Sequence, residues 1–501
     1  MSEAGAGGGA RGGGSALRQT LIYGGGLVFN RLVAFVMLPV YTRYIPPADY
    51  GALQLLGVTM DIVALVAGAR LAGGIFYFYH GAESDRDRHR VLGTSLLTLG
   101  GTYALLGVAV ALLAEPISHL VFHDASRAML VRLAGISFVF EAPMLVGLTT
   151  LQVWHRPLGY VGATAAKLVI QVALNLVVLI GLGWGVTGVM GVTALANALV
   201  GTTLAAAVLR TTGLAYDAAF VRRLVRYGLP LVGTQVATML PAYGDRYVLN
   251  EVQGQAAVGV YSVGYQFGVL VFSLGFAPIF QMWEPRRYAL AREPDRDHAY
   301  AQAWVLVNVV VVSLAVGVSL AVGDFLRLAT PEAYHGAAAV VPLVAVAFIF
   351  QAWTDFHNLG LMMTERTERL TVASWICAAV AVGGFLALIP VAGATGAALA
   401  LAIAYFVRFV LVYRASQRLW PVRYRWSPVL RLCGVAAAVV GVSAAMPVLS
   451  LPASVGVHAL QGVLFVLALV GTGVLGPAER AAVRGSVLAM QARIGLRGTL
   501  R

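Results

Sequence analysis

Apolar runs of about 20 residues, separated by short polar breaks, recur along nearly the whole chain. That is the length a helix needs to cross the hydrocarbon of a bilayer. The runs predict helices at 20–43, 50–79, 91–113, 127–151, 158–183 and 187–209. A second series follows at 227–249, 257–283, 299–322, 336–360, 370–390 and 394–415, and a last pair at 430–450 and 456–476. No period-two alternation of the barrel kind appears. The pattern therefore predicts an all-α polytopic membrane protein with about 14 transmembrane helices.

The series repeats. Gly185-Val-Thr187-Gly188 opens the sixth span and Gly393-Ala-Thr395-Gly396 opens the twelfth, 208 residues later. Tyr50-Gly51 and Val258-Gly259 share that offset, and Thr164-Ala-Ala precedes Thr371-Val-Ala by 207. Arg43-Tyr44 ends the first span as Arg246-Tyr247 ends the seventh. These matches predict two six-helix lobes, 18–210 and 211–415, related by a parallel repeat with a substrate site between them. A Gly-rich, disordered N-terminus (1–17), an extra two-helix unit (416–476) and a basic tail (477–501) complete the expected organisation. The tail is expected to be a solvated segment that obeys the charge rule, with a weakly amphipathic segment lying on anionic lipid as the alternative.

Composition agrees with the lipid setting. Hydrophobic residues make up 59% and charged ones 11%, with a mean hydropathy of +0.80, against about a quarter charged in soluble domains. No cleavable signal peptide is expected at the N-terminus. Cys377 and Cys433 both sit in apolar stretches, so a disulfide framework is not indicated. The net charge of +13 is spread over short loops at alternate ends of the spans, not gathered in one patch, which argues against nucleic acid. Arg86, Arg88, Arg90, Arg156, Arg210, Arg222, Arg223, Arg226, Arg286, Arg287 and the later arginine loops share one side, while the other offers little beyond Arg43, Arg127 and Arg327. The positive-inside rule then puts both termini in the cytoplasm of a cell inner membrane.

Ionisable groups within spans are costly and mark function. Arg31, Arg70 and Lys167, the chain's one lysine, are the deep cations of the first half. They are expected to bind substrate, because a cationic cavity attracts a diphosphate and guanidinium groups grip phosphate oxygens in pairs. Pairing of Arg31 with Asp61 or Glu141 is the structural alternative. Asp61, Glu141, Asp355 and His357 are expected to take up and release a coupling ion, H+ or Na+. Asp245 and Arg246 are expected to gate or brace the outer end of the seventh span, and neighbours about 100° apart on a helix need not pair with each other. Arg408 lies in the twelfth span. No metal-ligand spacing, nucleotide-binding glycine loop or cofactor motif is present.

The run Leu38-Pro39-Val40-Tyr41-Thr42-Arg43-Tyr44-Ile45-Pro46-Pro47-Ala48-Asp49-Tyr50-Gly51 resembles the first-loop signature of polysaccharide (oligosaccharide) flippases of the multidrug/oligosaccharidyl-lipid/polysaccharide exporter superfamily. Tyr227-Gly228-Leu229-Pro230-Leu231, Gly244-Asp245-Arg246-Tyr247 and Val258-Gly259-Val260-Tyr261-Ser262 are similar to its second-half signature, and Gly393 to Ala404 to its twelfth span. The likeness covers roughly residues 18 to 415. It implies a cationic cavity between two lobes and transport of undecaprenyl-diphosphate-linked oligosaccharide from the cytoplasmic to the periplasmic leaflet by alternating access. The expected partners are that lipid-linked substrate, membrane lipids, and glycosyltransferases or a polymerase of the same pathway. The alternatives are a lipid II flippase and, from another class, a membrane-embedded glycosyltransferase or polymerase. The latter usually carries a sizeable outer loop with paired acids, and the outer loops here are short. A multidrug cation antiporter would need a cavity dominated by carboxylates.

Overall fold

The computed structural model describes residues 33, 35–68, 71–447 and 449–474. Arg31, most of the expected first span, Arg70, the N-terminus 1–17 and the tail 477–501 lie outside the described residues. Every regular element among the described residues is helical. Among the described residues ten helices are long and apolar enough to cross a membrane, or eleven when the bent pair Glu332–Ala339 and Val341–Met363 is taken as one span.

That count leaves out the expected first span, most of which lies outside the described residues, and it takes two long helices once each where two spans apiece were expected. Two of the ten, Val232–Leu290 and Glu368–Leu419, run through an expected loop. Ala218–Leu270 is broken at Gly254 and Glu368–Leu419 at Gly393, each glycine holding dihedrals no helix uses. The chain turns there within a residue or two, where a polar loop was expected. The expected second span divides instead, into Pro47–Val66 and Leu71–His80, and the fourth into Ala128–Val139 and Glu141–Val153.

The repeated Gly-x-Thr-Gly motif has a clear structural use. Gly185 and Gly393 adopt φ of +54° and +53°, the left-handed region that a side chain disfavours. Three residues on, a Cβ at Gly188 would stand 2.1 Å from Val178 Cγ1, and one at Gly396 would stand 2.2 Å from the Leu388 carbonyl oxygen. The first glycine reverses the chain and the second lets the new helix pass against the one it has just left.

A second repeated device was not apparent from the sequence. Glu141–Val153 ends with His155 at φ +53°, the His155 amide bonded to the Gln152 carbonyl and the Arg156 amide to that of Leu151. Glu365, at φ +56°, donates to Met362 and Arg366 to Leu361 in the same way. Both are Schellman closures, with a side chain where glycine is usual.

Contacts divide the chain into two compact units, one ending at Gly259 and one beginning at Val260. The division falls later than the expected lobe boundary at 210/211. The reason is that the helix after that boundary packs into the first unit: Tyr247 Oη shares a 2.7 Å hydrogen bond with Thr59 Oγ1, and Asn250 and Gln255 donate to the Val121 and Phe122 carbonyls. In that unit Gly51 and Gly259 make a reciprocal approach. A Cβ on Gly51 would lie 1.9 Å from the Gln255 oxygen, and one on Gly259 would lie 2.0 Å from the Pro47 oxygen. Each contact maps onto the other by the 208-residue offset, the relation that a local two-fold between the segments produces. Small residues at helix crossings allow such approach, which stands in for the hydrophobic drive that lipid removes.

In the second unit the C-terminal pair, Trp426–Ala445 and Leu451–Gly471, contributes Val429, Leu432, Phe465 and Leu469 to a core with Trp304, Val311 and Trp353. A polar clasp reinforces it. Ser454 Oγ donates to Asp324 Oδ1 at 2.6 Å, His458 Nδ1 lies 2.6 Å from Asp324 Oδ2, and His458 Nε2 lies 3.1 Å from Ser443 Oγ. Ser443 sits in the last turn of its helix, where carbonyls and not N–H groups are the free backbone groups, so that turn offers no oxyanion donors. Asp324→Ala is expected to lower stability by about 2–3 kcal/mol by stripping two partly buried donors of their acceptor. Limited proteolysis between the two helices is expected to speed up; wild-type cleavage rates would show the clasp to be unimportant.

Candidate functional site

Charged side chains on otherwise apolar helices form one group in each unit. In the first unit, Asp61 lies on Pro47–Val66, Glu141 opens Glu141–Val153, Lys167 lies on Pro157–Leu176, and Asp245 and Arg246 lie on Ala218–Leu270. The break at Phe140 starts a new helix at Glu141, placing a carboxylate at a positive helix end. Four of the five form one electrostatic set: Lys167 with Glu141, Glu141 with Asp61, and Asp61 with Arg246. Tyr103 feels both acids, and Tyr247 feels Asp61. Lys167 and Glu141 are half-buried and Asp61 is exposed on its unit.

Asp245 and Arg246 are both buried and, although adjacent, they pair. Arg246 Nη1 reaches Asp245 Oδ1 at 3.1 Å, helped by a bond from the Arg246 amide to the same oxygen at 2.8 Å. A second bond from Nη1 to the Ala242 carbonyl, at 3.0 Å, fixes the guanidinium along its own helix.

The second unit carries a longer chain of contacts. Arg408 Nη1 donates to Gln351 Oε1 at 2.9 Å, and Gln351 Nε2 donates to Asp355 Oδ2 at 3.1 Å. Asp355 also feels the charges of Arg408 and Arg287. Arg287 Nη1 donates to the Asp355 carbonyl at 3.3 Å and to Asn358 Oδ1 at 2.9 Å, while Nη2 lies 3.3 Å from Glu284 Oε1. The Nε atoms of Arg287 and Arg408 are buried with no hydrogen-bond partner. Each guanidinium therefore keeps an uncommitted donor.

Arg287 is a correction to its placement among the exposed loop arginines: only 1% of it is accessible. The helix Ala277–Leu290 carries it into the unit, where it also lies 4.9 Å from the Phe280 ring centroid. Gln351 and Asn358 are further members that the sequence reading missed. Gln351 had a signal, a polar residue one helical turn before Asp355 in an apolar run. Arg287 had none, because an arginine beside Arg286 at a span end reads as surface.

His357 is separate from this chain of contacts. Aromatic rings enclose it: Trp304 at 4.3 Å, Tyr424 at 4.5 Å, Tyr413 at 5.1 Å and Phe409 at 5.6 Å between centroids, with Trp426 stacked at 5.7 Å. Its Nδ1 lies 2.8 Å from the Trp353 carbonyl, and Nε2 is buried without a partner. Among the described residues no carboxylate pairs with it. No group of three or more His, Cys, Asp or Glu able to hold a metal occurs among the described residues, and Cys377 and Cys433 are free thiols.

A model of the family described as polysaccharide biosynthesis protein matches residues 16–286. Comparison with curated protein sequences gives no match. Among solved structures, one titled lipid II flippase MurJ, inward closed conformation, superposes with a TM-score of 0.70 at 10% identity, over 88% of this chain and 96% of the other. An inward-facing multidrug resistance MATE family transporter of the MOP superfamily gives 0.59 at 15% identity, over 77% and 94%. Its outward-facing counterpart gives 0.52 at 16%, over 81% and 94%. Identities this low establish a shared helical membrane fold.

Proposed function

The chain belongs to the family of polysaccharide biosynthesis proteins, and from that premise we propose that it is a flippase carrying an undecaprenyl-diphosphate-linked oligosaccharide from the cytoplasmic to the periplasmic leaflet of a bacterial inner membrane. The observation that carries this reading is the pair of charge groups on apolar helices. Lys167 and Arg246 in one unit, and Arg408 and Arg287 in the other, are fixed cations in spans where lipid alone would exclude them. A polyprenyl tail can stay in lipid throughout the crossing; the diphosphate needs fixed cations on the way. Arg31 and Arg70 join Lys167 as substrate cations on the sequence argument alone.

Coupling follows from the acids beside those cations. Arg408 holds Asp355 through Gln351. When a phosphate engages Arg408, the carboxylate loses part of its compensation and takes up a proton, which it releases once the cargo leaves. Asp61 and Glu141 have the same relation to Arg246 and Lys167. His357, in its aromatic box, is better suited to packing than to the relay expected of it, since a proton there would meet no anion. Asp245 braces Arg246 more than it gates.

The test is translocation of a fluorescent undecaprenyl-diphosphate oligosaccharide in proteoliposomes. Wild-type protein is expected to flip it faster than empty vesicles and more slowly once the ion gradient is collapsed, whereas Asp355→Asn is expected to be indifferent to the gradient. Unchanged wild-type rates would retire the coupling role of Asp61, Glu141 and Asp355. Faster flipping of lipid II than of the oligosaccharide would reassign the cargo. Pathway glycosyltransferases or a polymerase, as the enzymes that make and consume this cargo, are the proposed partners.

A further inference from the structure

On the arginine-rich face of the first unit, three connections meet around a hollow of about 520 Å³. The end of Leu71–His80 supplies Tyr79 and His80, and the start of Asp85–Leu112 supplies Arg88. The turn between Glu141–Val153 and Pro157–Leu176 supplies Trp154, His155 and Arg156, and Thr211 comes from the end of Gly185–Thr212. The lining therefore holds two arginines and two histidines and no carboxylate.

Each arginine is set on an aromatic platform. Arg156 lies 5.4 Å from the Trp154 ring centroid and Arg88 lies 5.8 Å from that of Tyr79. Stacking of this kind orients a guanidinium and leaves its N–H edges free for an anion. Arg88 shares a 2.9 Å bond with Asp85, whose side chain is 84% exposed, yet its Nε is buried with no partner. No ion pair involves Arg156 among the described residues. The His80 and His155 rings stand 6.4 Å apart on the same wall.

The backbone adds two features. Arg156 is also the residue before Pro157–Leu176, which has no side-chain cap and no acid in its first turn. Basic groups around a positive helix end repel it unless something negative lies between them. His155 holds φ +53° in the same Schellman closure that Glu365 forms at φ +56°, so the backbone fixes where its imidazole stands beside the hollow.

We propose that this hollow binds the phosphate group of a lipid headgroup, with Arg88 and Arg156 as its principal donors and His80 and His155 beside them. The site lies at the ends of the spans, where headgroups sit, and anionic lipids gather at basic membrane faces. It is distinct from the charge groups within the spans, so its binding does not depend on the transport reading. A bilayer phospholipid and a polyprenyl diphosphate share the chemistry, and the experiment separates them.

The full chain, purified in detergent, is titrated with phosphatidylglycerol, phosphatidylcholine or inorganic diphosphate, and bound copies are counted by native mass spectrometry. Phosphatidylglycerol is expected to be retained over phosphatidylcholine. Retention favouring inorganic diphosphate at equal concentration would instead assign the site to diphosphate chemistry. Arg88→Gln with Arg156→Gln is expected to weaken binding at least tenfold, since each hydrogen bond to a charged group contributes appreciably. His155→Gly is expected to weaken binding while leaving thermal stability unchanged or raised, a combination that a purely structural histidine would not produce. The proposal is overturned if the double variant elutes as folded protein and retains the anion as the wild type does, or if phosphatidylcholine and the anions bind alike.

Discussion

Arg408→Ala is expected to slow translocation of the lipid-linked sugar by roughly a hundredfold, while the variant still reaches the membrane and purifies as a single species. Arg408 is half-buried in the arm that follows Gly393, its Nη1 is committed to Gln351 at 2.9 Å, and its Nε has no partner. Loss of the guanidinium removes the charge that compensates Asp355 and that would attract the diphosphate. Truncating one member of a buried, hydrogen-bonded charge pair typically costs about 2–5 kcal/mol of binding. Stability should suffer less, because Asp355 can protonate and still bond to Gln351. Arg408→Lys separates charge from geometry: a lysine keeps the positive charge and loses the planar fork, so partial activity is expected. Wild-type rates in Arg408→Ala would place the diphosphate elsewhere and leave Arg408 a structural residue.

Gly51→Val acts at the opposite end of the scale, on assembly. The added Cβ would fall 1.9 Å from the Gln255 oxygen and close to the Gly259 amide nitrogen. Those are backbone atoms and cannot swing aside, so the two helices must part. Overpacking a tight interior costs about 1–3 kcal/mol when side chains can shift, and a backbone clash should reach or exceed the upper figure. Loss of monodisperse protein on size exclusion is the expected result. Gly259→Val should do the same, because Gly259 makes the reciprocal contact with Pro47 at 2.0 Å. As a control, Gly57→Ala, on the same helix with open space around its Cβ position, should be tolerated. If Gly51→Val behaved like Gly57→Ala, the close crossing would not exist.

Much of the architecture was legible because its causes are local. Helix was readable from apolar runs of bilayer length, and the repeat from glycine positions at a constant offset. Gly185 and Gly393 show why those positions could be read: both halves use a positive φ there, which glycine adopts without the strain a side chain brings. The charge groups were partly legible. Asp61, Glu141, Lys167, Asp355 and Arg408 stand out against apolar neighbours, and the electrostatic links now join them in two sets. His357 stood out in the same way, and only the structure shows the aromatic enclosure around it. Arg287 stayed hidden because burial of a basic residue at a span end depends on which helix covers it.

The sequence by itself determined that the chain is helical, that it lives in a membrane, and that one of its two faces is basic. These follow from hydropathy, length and charge, each summed over many residues and insensitive to how the helices pack. Only the tertiary structure decided who pairs with whom: Asp245 with Arg246, Arg408 through Gln351 to Asp355, Ser454 and His458 with Asp324. Hydrogen bonds and ion pairs act over about 3 Å, and they join residues as far apart in the chain as Thr59 and Tyr247, 188 positions. A linear pattern carries no information on that scale until the helices have been set side by side.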